Sequence, residues 1–159
     1  MISSQTSKLI KDMLEFQEKN NIRNQCVTNS QLLYEMLKDN TTINVKVIPV
    51  IVDSYVNCSY ELCYGHLVVE INETEILESS LDIVLMPKRK YYKNIKEYLD
   101  EYLGNNKINF IYKNKENLKE LVKEFIEFTK IAEQMNKGET FVDREYFYSL
   151  TDYCFEKLN

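Results

Sequence analysis

Residues 61–79 restrict the possible folds more than any other stretch of the chain. Glu61-Leu-Cys-Tyr-Gly-His-Leu-Val-Val-Glu-Ile-Asn72 reads as a β-strand. At a period of two, Tyr64, His66, Val68 and Glu70 share one face, and Cys63, Gly65, Leu67, Val69 and Ile71 share the other. The second set is the more apolar, so His66, the single histidine, is predicted to point away from the driest layer of core. Asn72-Glu-Thr74 supplies a tight turn, and Glu75 to about Ser79 a return strand. Ile43, Val45 and Val47 alternate and run into an apolar stretch around Pro49. A third strand is therefore expected from Ile43 to Val52, with a bulge or an edge at the proline. The three segments make one antiparallel sheet.

Helical periodicity flanks that sheet. Leu9, Ile10, Met13, Leu14 and Phe16 predict an amphipathic helix from Ser3 to about Asn20, capped by Ser3 or Ser4. The loop Asn20 to Asn24 breaks it, and the next helix runs from about Cys26 to Lys38. After Pro87 the spacing predicts a helix over Lys93 to Leu103 ending at Gly104, and a short strand from Ile108 to Tyr112. A long helix capped by Asn114 reaches about Met135, and a last one capped by Asp143 reaches about Leu158. Three glycines and two prolines favour helix over loop. No linker or repeat divides the 159 residues, which as a single domain would bury roughly two thirds of their unfolded surface. The expected class is α+β, with helices packed on a central antiparallel sheet of three to five strands.

A net charge of −5 without a basic stripe argues against a nucleic-acid binder. The cluster Lys88-Arg-Lys90, followed by Tyr91-Tyr92, reads as a solvated turn, and Glu70, Glu73 and Glu75 as a solvated hairpin end. No apolar run approaches the roughly 18 residues of a membrane span, and the N-terminal residues lack the pattern of a signal peptide. A soluble, cytoplasmic protein is expected, with its four cysteines as free thiols. The abundance of Lys, Asn, Ile and Tyr resembles translation of an AT-rich genome. Cys58, Cys63 and His66 have the residue types of a zinc site, but positions 63 and 66 point to opposite faces of one strand. Neither a metal nor another cofactor is therefore expected.

The remaining pattern is a thiol at a helix start, an imidazole on a strand and an acid on the neighbouring strand. A helix N-terminus favours the thiolate, and an acid-oriented imidazole completes an activated nucleophile. In order and spacing, Asn24-Gln-Cys-Val-Thr-Asn-Ser30, His66-Leu-Val-Val-Glu70 and Ile76-Leu-Glu-Ser-Ser80 resemble the papain-like fold in its transglutaminase-like and NlpC/P60-like variants. The resemblance covers about residues 20–85 and implies a papain-like N-terminal half closed by C-terminal helices. It implies Cys26 as nucleophile, His66 as general base and then acid, and Glu78 as the group that orients the imidazole. Hairpin parity leaves Asp82 as another candidate for the third role. The usual upstream glutamine is missing, so Asn24, Gln25 or the Cys26 N–H would have to stabilise an oxyanion. The implied activity is hydrolysis or acyl transfer on a peptide, a ubiquitin-like protein or another amide, ester or thioester. A catalytically inactive papain-like module that binds a protein partner is the alternative.

Overall fold

The computed structural model describes residues 2–56, 60–104 and 115–158. In chain order the elements are α1 (Ser4–Lys19), α2 (Cys26–Leu37), β1 (Val45–Val56), β2 (Tyr60–Ile71) and β3 (Glu75–Leu77). They continue with α3 (Leu81–Val84), β4 (Arg89–Tyr92), α4 (Ile95–Gly104), α5 (Lys115–Asn136) and α6 (Arg144–Leu158). The fold is α+β, and its four-stranded antiparallel sheet has the order β3-β2-β1-β4. Ser3 caps α1 by accepting from the Thr6 N–H, and Asp143 caps α6 by accepting from Tyr146. The strand expected at Ile108 to Tyr112 and the Asn114 cap lie outside the described residues.

β1 and β2 pair without interruption from Val45↔Ile71 to Val56↔Tyr60. The register passes through Pro49↔Leu67, so there is no bulge at the proline. β4 reaches only Ile51 to Ser54 on the other side of β1, so Pro49 stands where that edge is open and a missing donor breaks no ladder. At Val47 the side chain of Asn136 takes the place of a strand: its amide donates to the Val47 carbonyl and its oxygen accepts from the Val47 N–H, each at 2.8 Å. The β2–β3 turn puts Asn72 and Glu73 at φ of 54° and 61°, and the Thr74 N–H closes it on the Ile71 carbonyl at 3.1 Å before Ile71 pairs with Glu75.

Both faces of the sheet are covered. Val47, Leu67, Val69 and Ile71 face the main core, built with Leu9 and Met13 of α1, Leu32 and Leu33 of α2, Met135 of α5 and Leu150 of α6. Val50, Val52 and Val68 face a smaller core closed by Ile83 and Met86 of the α3 segment. His66 belongs to this second face, away from the main core as the alternation predicts. That face is nevertheless dry, and His66 is only 3% exposed.

Three local readings change. Of the basic run after Pro87, Lys88 sits in an exposed turn at a φ of 49°, but Arg89 and Lys90, also exposed, already belong to strand β4, whose Tyr92 is buried against Ile51. Charged side chains on an edge strand discourage pairing with another chain. The return strand stops at Leu77, short of Ser79. Glu70 is buried and paired with Lys93, because its strand position turns it onto the His66 face of the sheet, where Lys93 reaches it from beyond the end of β4. Gly65 lets α5 lie directly on β2, since a Cβ there would meet the Glu124 Cβ at 2.6 Å.

Candidate active site

The short β3 makes room for the site. Because it pairs only with Val69 to Ile71, the edge of β2 is open from Leu67 backwards, and Ser30 of α2 donates to the Leu67 carbonyl at 3.0 Å. α2 thus runs along the strand edge and brings its first turn round to the His66 face. The loop before it bends through Asn21 and Asn24, both at positive φ, a conformation that asparagine tolerates better than most residues. Gln25 makes no side-chain cap and the first turn holds no acid, so the unpaired N–H groups around Cys26 keep their partial positive charge.

Glu78 follows the end of β3 and meets His66 at two distances, 2.8 Å from Nε2 to Oε2 and 3.0 Å to Oε1. Cys26 shares the lining of the adjoining cleft with His66, and its thiol adds to the pull that holds a proton on the imidazole. Burial is the largest single influence on His66 and favours its neutral form, but the bonds and charges of Cys26 and Glu78 together outweigh it and push the imidazole up to about 10. The direction of the shift favours the imidazolium, whose charge Glu78 balances. Glu78 is itself held: Tyr91 donates its hydroxyl to Oε1 at 2.8 Å and the Ser80 N–H donates to Oε2 at 3.2 Å.

The raised His66 value carries a prediction for stability. A base that binds its proton more tightly when folded stabilises the fold fully below its ordinary value, near 6.5, and loses that contribution as pH rises towards 10. Across that window one proton is worth about 1.4 kcal/mol per pH unit. Thermal midpoints measured from pH 6 to pH 10 should fall more steeply in the native protein than in a His66→Gln variant.

A buried amide network fixes the segment behind Glu78. Gln17, 1% exposed, donates to the Met13 and Ser79 carbonyls at 3.1 and 2.7 Å and accepts from the Leu81 N–H at 3.0 Å. Asn29 donates to Gln17 Oε1 at 3.2 Å and to Ser80 Oγ at 3.1 Å, and accepts from the Tyr146 hydroxyl. These residues and Tyr91 escaped the sequence reading. One signal was there: Leu9, Met13 and Gln17 repeat every four residues, so an amide occupies the apolar stripe of α1.

The chain thus brings Cys26, His66 and Glu78 together. Asn24 is exposed and lines the adjoining cleft. Gln25 is outside the lining and accepts a long 3.5 Å bond from Thr28. Asp82, expected to share strand parity with His66, sits instead in the first turn of α3, where that parity no longer applies. It lines the cleft, and its Oδ1 has no donor among the described residues. The cleft, about 640 Å³, is walled by Tyr64, Ile83, Met86 and Phe128 and has Cys26 and His66 in its lining. Among the described residues no three His, Cys, Asp or Glu side chains are arranged to hold an ion, and Cys58 lies outside them. No described helix is long and apolar enough to cross a membrane. No protein-family model, curated protein or solved structure matches the chain.

Proposed function

We propose that the protein is a cytoplasmic thiol hydrolase or acyltransferase acting on an amide, ester or thioester through a Cys26 acyl-enzyme. The observation that carries this reading is the imidazole of His66, bonded to Glu78 and lining an open cleft together with Cys26. In the reaction the Cys26 sulfur attacks the substrate carbonyl carbon, a C–S bond forms, and the π pair moves to oxygen. The Cys26 N–H at the helix start and the Asn24 side chain in the cleft lining would receive that oxyanion. His66 then gives its proton to the departing nitrogen, oxygen or sulfur as the C–X bond breaks. Water or another acceptor loses a proton to His66, attacks the thioester and releases Cys26. Glu78 steadies the imidazolium throughout and keeps its own charge.

The test is a panel of electrophilic amide, ester and ubiquitin-type probes applied to the native protein and to Cys26→Ala. The expected result is one covalent adduct per chain, confined to Cys26 and absent from the variant. Adducts that persist in Cys26→Ala, or no adduct with any probe, would support the silent binding module instead.

A further inference from the structure

We propose that Tyr91 is a positioning residue for this site, holding Glu78 in the orientation that serves His66; the inference rests on the reading of Cys26, His66 and Glu78 as an acyl-transfer centre. Glu78 lies one residue beyond the last paired residue of β3, so no strand ladder fixes its backbone. A glutamate side chain has three free torsions, and its carboxylate needs outside restraints to stay on Nε2. Among the described residues two are present and each takes one oxygen: the Ser80 N–H on Oε2 and the Tyr91 hydroxyl on Oε1. Only the tyrosine comes from a separate element. Pairing of β4 with β1 sets Tyr91 opposite Val52, which places its ring on the His66 face against the Val50, Val52 and Val68 cluster.

The bond from Tyr91 to Glu78 also closes a loop, since the two residues are 13 positions apart and the segment between them carries Ile83 and Met86 of the cleft wall. Arg89 ties the same loop across its middle by donating to the Ile83 carbonyl at 3.1 Å and to the Val84 carbonyl. Tyr91 thereby joins the wall against which a substrate rests to the acid that orients the base. Its hydroxyl keeps its proton, because burial first and the Glu78 charge second both disfavour the phenolate. It is a donor at every pH at which the site works.

The experiment follows the alkylation rate of Cys26 by iodoacetamide in the native protein, Tyr91→Phe, Glu78→Gln and the double variant, with thermal unfolding as a check on folding. Tyr91→Phe should slow alkylation by about tenfold, and the double variant should be no slower than Glu78→Gln alone, because the hydroxyl acts only through that carboxylate. The low-field Nε2–H resonance of His66, unambiguous in a protein with one histidine, should broaden in Tyr91→Phe. Native alkylation and a sharp resonance in Tyr91→Phe, with Glu78→Gln still slow, would reduce Tyr91 to a packing residue and leave the site intact. Losses that add in the double variant would do the same. If Glu78→Gln also reacts at the native rate, the role of the acid falls and that of Tyr91 falls with it.

Discussion

Replacing His66 by alanine is expected to lower turnover at Cys26 by about a thousandfold or more, the worth of a group that serves as both base and acid. Two effects must be kept apart. Loss of the imidazole removes proton transfer, and it also leaves the carboxylate of Glu78, whose side chain is 8% exposed, with Tyr91 and Ser80 as its donors among the described residues. Breaking one side of a buried ion pair costs on the order of 3–5 kcal/mol, so His66→Ala alone confuses chemistry with folding. His66→Gln separates them, because its amide can still donate to Glu78 while it has no titratable proton to transfer. Single-turnover rates should be near background in both variants, whereas the midpoint of urea unfolding should fall mainly in His66→Ala. A rate in His66→Gln within tenfold of native would remove His66 from the mechanism.

The second large effect lies far from the thiol in sequence. Gln17→Leu keeps the volume of the side chain roughly constant but strips the Ser79 carbonyl and the Leu81 N–H of their partner and leaves Asn29 one acceptor short. Each buried polar group left unpaired costs about 1–3 kcal/mol, which sums to a loss of roughly 3–5 kcal/mol in denaturant unfolding. Gln25→Ala, at a half-buried cap with one long bond, should stay within about 0.5 kcal/mol. Gln17→Leu should also slow Cys26 even where it remains folded, because Ser79 and Leu81 flank the Ser80 N–H that supports Glu78. Full stability in Gln17→Leu would show that the network is not what anchors the Glu78 segment.

Much of this arrangement is readable from the letters because it follows from short periods. The two-residue alternation of 63–71 separates His66 from Leu67 and Val69 whatever covers the sheet, and the same parity carries through the Asn72-Glu-Thr74 turn to Glu78. The caps at Ser3 and Asp143 follow equally local rules. What stays hidden depends on packing between distant elements. β4 has four residues, too few for a period, and only its pairing with Ile51 to Ser54 makes it a strand. Glu70 looks solvated beside Glu73 and Glu75 until Lys93 is brought over it. Asp82 seems equivalent to Glu78 as long as the return strand is assumed to continue, and it ends five residues earlier, at Leu77. Tyr91 could be linked to Glu78 only after all three of these were known.

The central claim is that Cys26 and Glu78 hold His66 between them as an imidazolium, and nuclear magnetic resonance of the single histidine reads that directly. The imidazole signals should stay protonated through neutral pH, titrate with a midpoint near 10, and move to a lower midpoint in Cys26→Ser. A midpoint close to 6.5, unchanged by Cys26→Ser, would contradict the account, because it would mean that the thiol and the carboxylate do not share the proton on which the proposed chemistry depends.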